Sequence, residues 1–153
     1  MRMRAIHEAG HAVVALALGI PFTKVTLSGV RFKPSSFDLT KPYDIERDAM
    51  FTLAGETAEA CVHEDTGHTS EDDQRHFEEL CVDRHPENQE RRASWRLEMH
   101  RKTDVLVQQH WTSIELLAAY LLERGSLSHA EVVEHLKWQV ARAQHVMVWD
   151  GDL

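Results

Sequence analysis

Apolar residues recur every three to four positions through most of the chain, and this period predicts a mainly α-helical fold. The first periodic segment, 1–18, is followed by Gly19 and Pro21, which are typical of a helix C-terminus. The other predicted helices are 45–62, 70–85, 87–123 with a break near Thr103, and a last helix that Ser128 caps and that continues to about Val140.

A short β element interrupts this helical pattern after the first helix. The run Lys24-Val25-Thr26-Leu27-Ser28 is rich in β-branched residues and predicts a strand, which 30–32 is expected to continue after a bend at Gly29. Pro34, Pro42 and two serines predict a surface loop over 33–44. No domain boundary is visible, so we interpret 1–153 as one domain, mainly α, with a small β element.

Composition narrows the class of protein. The 153 residues are 42% hydrophobic and 27% charged, which excludes a wholly disordered chain. Lys and Arg number 17 against 25 Asp and Glu, and this net charge of −8 argues against a nucleic-acid-binding protein. Cys61 and Cys81 form no CxxC pair. This fits a reducing compartment, and we expect a cytoplasmic location.

Two missing sequence features exclude further classes. The longest apolar run, Ala12 to Ile20, is far shorter than the ~18–20 residues that span a bilayer, so we expect no membrane span. The same run lacks a small-residue cleavage site and does not indicate a signal peptide. The sequence contains no GxxxxGK[ST] motif, so we expect no P-loop ATPase in this chain.

The candidate chemistry lies on the first predicted helix, where His7-Glu8-Ala9-Gly10-His11 is an HExxH motif. Residues at i and i+4 share a helix face, so the two imidazoles can bind one Zn²⁺ at about 2.0–2.1 Å. Glu8 would act as the general base that takes a proton from the attacking water and passes it to the leaving amine. Small and apolar flanking residues favour a half-buried working helix over a solvated helix with two chance histidines.

Two histidines do not complete a catalytic zinc site, which usually has a third protein ligand and an open position. From the residues alone, the third ligand can be a His, Glu or Asp from elsewhere in the chain. The nine histidines outside the motif are scattered and show no second i, i+4 pair. The acidic run Glu71-Asp72-Asp73 is a candidate, and the alternative is that it only stabilises the N-terminus of a helix.

Several segments resemble, in chain order, the peptidase domain of FtsH-type zinc metalloproteases, the membrane-bound AAA+ proteases. HEAGHAVVALALG, at 7–19, resembles the zinc helix of that family. The other similar segments are 22–27 (the strand after the zinc helix), 53–60 (the Gly-Gly-x-Ala-Ala-Glu helix), 66–75 (the Thr-Gly-Ala-x-Asn-Asp stretch) and 121–128 with the helix after it (the C-terminal end). The resemblance runs over 5–137, is strongest over 5–30 and 50–81, and leaves 146–153 as a tail.

The resemblance implies a third zinc ligand, an Asp that follows Thr-Gly at the start of a helix. Counting from Ser70 favours Asp72 as this residue. Helix phase favours Asp73, because apolar residues then follow at the positions where the family has core residues. The resemblance therefore implies His7, His11 and Asp73 (or Asp72) as zinc ligands, with Glu8 as the catalytic residue.

The resemblance also implies a zincin-like fold, zinc as cofactor and a peptide or unfolded protein as substrate. The strand with Lys24, Val25, Thr26 and Leu27 would be the sheet edge to which a substrate peptide adds. Because the ATPase and transmembrane modules of the family have no counterpart here, we expect an ATP-independent, stand-alone metalloendopeptidase. The alternative is a zinc-stabilised binding or regulatory module without turnover.

Overall fold

α-Helices make up most of the described chain, as the apolar periodicity predicts. The computed structural model describes residues 2–32, 37–62 and 70–137. The elements are α1 (Arg2–Ala17), β1 (Phe22–Thr26), β2 (Gly29–Phe32), α2 (Pro42–Val62), α3 (Glu71–Arg84), α4 (Gln89–Gln109), α5 (Trp111–Arg124), β3 (Ser126–Ser128) and α6 (His129–Leu136). Loop residues 33–36, the Thr66-Gly67 segment and the predicted tail from 146 lie outside the described ranges.

The helix with the HExxH motif is the centre of the fold. Every residue of α1 from Ala5 to Ala17 is buried. The helix packs mainly against α2 and α5, and it ends where predicted, with Gly19 at a φ of 69°. Polar side chains on such a helix are removed from water, so they must find partners inside the protein.

The small sheet lies against one side of α1 and has the order β2-β1-β3, with both pairs antiparallel. Val25 of β1 is paired with Val30 of β2 and with Leu127 of β3. The prediction that the Lys24–Leu27 strand is an open edge is therefore wrong, because β1 has a neighbour on both sides. β3 supplies one of these neighbours, and no pattern in the sequence predicts this strand.

The helical boundaries correct two predictions. The predicted break near Thr103 is wrong, because α4 runs without interruption to Gln109 and the chain bends at His110. Thr103 is fully buried, and its hydroxyl donates a hydrogen bond to the carbonyl of Met99 (2.7 Å), so the helix accommodates it. α2 begins at Pro42 and not at 45, since proline is favoured in the first turn of a helix.

The last described helix begins as predicted. Ser128 accepts a hydrogen bond from the backbone N–H of Glu131, whose carboxylate accepts one from the backbone N–H of Ser128. The fold is therefore mainly helical with a small antiparallel sheet. No helix within the described ranges combines the length and the apolar character needed to cross a membrane.

Candidate metal centre

Three side-chain atoms from two helices meet at one point in the structure. Nε2 of His7 lies 3.0 Å from Nε2 of His11. Oδ2 of Asp73, on α3, lies 3.1 Å from the first nitrogen and 3.2 Å from the second. The structure thus brings together both histidines of the motif and one of the two candidate aspartates.

The hydrogen bonds on the far side of each ring fix which nitrogen carries the proton. Nδ1 of His11 donates to the backbone carbonyl of Phe51 (2.7 Å), which can only accept. Nδ1 of His7 donates to Oε1 of Glu59 (2.9 Å). In the neutral rings both Nε2 atoms therefore present lone pairs, and they face each other and the carboxylate of Asp73. Three acceptors this close repel one another unless they share a cation.

A tetrahedral zinc ion fits this donor set. Two ligand atoms at about 2.0–2.1 Å from such an ion are separated by roughly 3.3 Å, close to the separations observed among the three atoms. Without a metal, a proton on one of the facing nitrogens can take the place of the cation. Burial alone would raise the pKa of the Asp73 carboxyl, but hydrogen bonds from His11 and His7 in that protonated state hold it well below its ordinary value. Burial lowers the pKa of His7, yet the nearby Asp73, Glu8 and Glu59 outweigh it and raise that pKa. Both shifts indicate that the cluster favours positive charge.

One face of α2 supports the two histidines. Phe51, Gly55 and Glu59 follow one another at four-residue spacing and lie along this face. Phe51 and Glu59 accept hydrogen bonds from the Nδ1 atoms of His11 and His7, and Gly55 lies between them. A Cβ at Gly55 would lie 2.6 Å from Nε2 of both His7 and His11, so only glycine leaves the three-atom point open.

A second glycine lets the two helices approach each other. A Cβ at Gly10 of α1 would lie 2.8 Å from the carbonyl oxygen of Ala54 and 2.8 Å from Cβ of Ala58. This close approach brings the Nδ1 atoms of the histidines within hydrogen-bond distance of α2. The supporting contacts on α2 are the part of the site that the motif alone does not predict.

The start of α3 distinguishes the two candidate aspartates. Ser70 caps the helix by accepting a hydrogen bond from the backbone N–H of Asp73. This first turn directs Asp73 towards α1. The side chain of Asp72 is 91% exposed and lies 3.5 Å from Arg75, away from the histidines. The structure therefore places Asp73, and not Asp72, with the two histidines, while zinc binding itself stays a prediction.

A further histidine joins α3 to α2. Nε2 of His76 lies 2.9 Å from Oδ2 of the buried Asp48, whose other oxygen accepts from Thr52. This hydrogen bond raises the pKa of His76, although burial of the ring opposes it, and Glu79 and Asp73 add to the effect. The contact keeps the helix that carries Asp73 against the helix that supports the histidines.

Substitution of His76 is expected to make the stability of the fold less dependent on pH. Because its pKa is raised on folding, the pair stabilises fully below the unfolded value of about 6.5 and loses this contribution as pH rises through the folded value. The stability difference between the zinc-saturated wild type and His76→Gln should therefore be larger at pH 6 than at pH 8.5 in urea unfolding. An equal difference at both values would show that the pair is not an ion pair. The ring is partly exposed, so we expect a modest effect.

Glu8 lies beside the three-atom point without being part of it. Its Oε1 is 3.8 Å from Nε2 of His7, and among the described residues its buried Oε2 has no hydrogen-bond partner. Burial raises the pKa of the Glu8 carboxyl, against the opposing effect of His11, His7 and Arg4. A carboxyl with a raised pKa holds a proton more readily than an ordinary glutamate, which suits a group that takes up a proton and passes it on.

A cleft of about 650 Å³ opens from these residues to the surface. One wall is α1 with Arg4 and Glu8, and the opposite wall includes Gly29 and Val30 of β2. In the described sheet β2 is paired on one side only, with β1. The free edge next to the cleft therefore belongs to β2 and not to the strand predicted from the sequence.

Comparisons with known proteins do not assign the chain to a family. No protein-family model matches it. No curated protein matches its sequence at a significant level. The inference from structure to function therefore rests on the geometry of the two histidines, Asp73 and Glu8.

Proposed function

We propose that the protein is a zinc-dependent metalloendopeptidase with a zincin-like site, related to the peptidase domain of FtsH-type proteases. The observation that carries this proposal is the meeting of three acceptor atoms, from His7, His11 and Asp73, beside Glu8, whose buried Oε2 has no hydrogen-bond partner among the described residues. The cleft makes this point accessible to a substrate. A purely structural zinc site has no use for a buried carboxyl group next to the metal ligands.

The chain's own residues would divide the chemistry among them. His7, His11 and Asp73 would hold the zinc ion, and Glu59 and the carbonyl of Phe51 would orient the two rings. Zinc supplies a lowered pKa for the attacking water and polarisation of the scissile carbonyl. Glu8 would take a proton from the attacking water and deliver it to the amide nitrogen as the C–N bond breaks.

The free edge of β2 supports binding of an extended peptide. An added strand would pair with the backbone of β2 and pass along the cleft next to Glu8. Such binding requires a substrate segment that is already extended. This favours a reaction on flexible or unfolded polypeptides.

The choice of third ligand can be tested by measuring zinc affinity. Asp73→Ala should weaken zinc binding by more than about 100-fold, because loss of a direct ligand costs more than the 10–100-fold typical of a residue that only supports a ligand. Asp72→Ala is the matched control and should bind zinc like the wild type, since this side chain points to solvent. The measurement is competition against a chromophoric chelator, with one zinc ion per chain expected. Equal affinities for the two variants would remove Asp73 from the site.

The activity is tested on an unfolded protein such as casein. Zinc-loaded protein should cleave it, and the metal-free protein should not. If zinc binds and its removal melts the fold while neither casein nor any other unfolded protein is cut, the zinc-stabilised binding or regulatory module is the correct alternative.

A further inference from the structure

Arg4 places one positive charge at the mouth of a cleft that is otherwise acidic. It lies one helical turn before Glu8 on α1 and lines the cleft. Its Nε donates a hydrogen bond to the carbonyl of Leu27 (2.8 Å), in the turn between β1 and β2. This contact orients the planar guanidinium next to the start of β2.

Arg4 forms no close ion pair with a carboxylate of the described residues, although its charge acts on Glu8 from a distance. Among the described residues, no carboxylate oxygen lies within 4.0 Å of the guanidinium, whereas other arginines of the chain form ion pairs, such as Arg96 with Glu78. The other charged groups that line the cleft are carboxylates: Glu8, Glu59, Asp72 and Asp73. With zinc held by His7, His11 and Asp73, an acidic group of a substrate would be attracted at the metal, where the cleaved bond lies, and at Arg4, and it would be repelled by the remaining carboxylates.

The direction of β2 determines which part of a bound peptide reaches this place. A Cβ on Gly29, the first residue of β2, would lie 3.9 Å from Oε2 of Glu8. The last residue, Phe32, packs its ring on Phe51, with the centroids 4.7 Å apart, and Phe51 holds His11. β2 thus runs from the Glu8 end of the site to the His11 end. A peptide paired antiparallel to β2, the slightly more stable arrangement, runs the opposite way, so its C-terminal part lies at the Gly29 end.

Arg4 is at that same end. Along the helix axis it lies about 6 Å from Glu8, and helical side chains lean towards the N-terminus. This distance is close to the length of two residues of an extended peptide, about 6.8 Å. We propose that Arg4 is a specificity-determining residue that binds a substrate carboxylate about two residues beyond the cleaved bond, on its C-terminal side. This inference rests on the proposed function and adds the substrate class to it.

The carboxylate can come from an acidic side chain or from the free C-terminus of a peptide that ends there. A guanidinium fork binds both in the same bidentate geometry. In the first case the protein cuts internal bonds before acidic residues. In the second it releases short C-terminal fragments, and the test has an arm for each source.

The test uses the zinc-loaded full chain and a neutral host peptide with a blocked, amidated C-terminus. Glu is placed in turn at each position of the peptide, and the peptide with Gln at the same position is the isosteric control. A further pair of peptides ends at the position where Glu is preferred, one with a free C-terminal carboxylate and one with an amide. We expect kcat/KM to be at least about 10-fold higher for the Glu peptide, with the cut about two residues before Glu. Arg4→Gln should reduce the Glu/Gln ratio to near one, and Arg4→Glu should favour Lys at the same position. The free-acid pair shows which source of carboxylate is preferred.

Arg2→Gln is the control, because it removes an exposed arginine from the same helix without changing the lining of the cleft. It should keep the full Glu/Gln ratio. A wild type that cuts Glu and Gln peptides equally, or an Arg4→Gln protein that keeps the preference, would overturn the inference while leaving the peptidase intact.

Failure of the proposed function is seen separately. If no peptide is cut, the same peptides with a fluorescent label are bound to the zinc-loaded Glu8→Gln protein and followed by anisotropy. If Arg4 binds the carboxylate, the Glu8→Gln protein should bind the Glu peptide at least about 10-fold more tightly than the Gln peptide. The double variant with both Glu8→Gln and Arg4→Gln should bind the two peptides equally. This pair of results would support the role of Arg4 without turnover. Equal binding of both peptides rejects it.

Discussion

Glu8→Gln is expected to lower kcat for casein-derived peptides by about 10²- to 10⁴-fold and to leave zinc stoichiometry at the wild-type value. The amide has the shape of the carboxylate but cannot accept the proton of the attacking water. Because Glu8 lies 3.8 Å from Nε2 of His7 and outside the three-atom point, its replacement should not displace the metal. The measurements are steady-state kinetics and metal analysis on the same preparation.

The same substitution should not reduce the stability of the metal-free protein. Burial raises the pKa of Glu8, which means that its ionised form opposes folding at neutral pH. Removal of this charge is therefore expected to keep or raise the melting temperature, as happens where an active site trades stability for function. An unchanged rate in Glu8→Gln would show that another group moves the proton.

Glu59→Gln is an informative comparison, because Glu59 acts only through its hydrogen bond to His7. Loss of such a partner typically weakens metal binding by about 10- to 100-fold. Activity lost in Glu59→Gln should thus return when zinc is added, whereas activity lost in Glu8→Gln should not. This comparison distinguishes Glu8, which moves the proton, from Glu59, which positions a zinc ligand.

The sequence was sufficient to predict the parts of the molecule that depend on short-range pattern. The helix of 1–18 follows from the period of its apolar residues, and its end follows from Gly19 and the nearby Pro21. The structure confirms both. The capping box of the last helix is local in the same sense and is also confirmed. The i, i+4 spacing of His7 and His11 fixed their convergence, because helix geometry alone brings them to one face.

Features that depend on tertiary pairing could not be read from the chain. The three-residue strand β3 has no strand signal of its own, and its pairing with β1 closes the edge that the resemblance assigned to that strand. The acceptor for His11 is a backbone carbonyl, that of Phe51, which no residue type reveals. Asp72 and Asp73 differ only in their phase on α3, and the position of that helix against α1 decides which of them meets the histidines.

Gly55 shows how a residue that binds nothing can be necessary for the site. A glycine inside this helical segment predicts close packing at that position, and the side chains of His7 and His11 are what packs there. In the structure Gly55 lies against the point where the acceptor atoms of His7, His11 and Asp73 meet. Its missing side chain leaves room for both imidazoles and for whatever they bind.

Gly55→Ala is accordingly expected to abolish zinc binding and activity, with the loss in zinc affinity exceeding about 100-fold. The new Cβ would lie 2.6 Å from Nε2 of both His7 and His11, so at least one ring must leave its position. Helix propensity acts in the opposite direction, since alanine in a helix interior is favoured over glycine by roughly 1 kcal/mol. A folded protein that no longer binds zinc is therefore the expected result, measured by circular dichroism and chelator competition.

Gly10→Ala and Thr57→Ala are the controls for this prediction. The Gly10 change forces a Cβ against the backbone of Ala54, so it should lower the melting temperature, with zinc loss only as a consequence of unfolding. Thr57 lies on α2 two residues after Gly55, and its hydroxyl bonds within the helix to the carbonyl of Leu53, so Thr57→Ala should leave zinc affinity unchanged. If Gly55→Ala bound one zinc ion as tightly as the wild type, the histidines could not hold the metal through the nitrogen atoms that face Gly55, and the geometry on which the peptidase depends would be wrong.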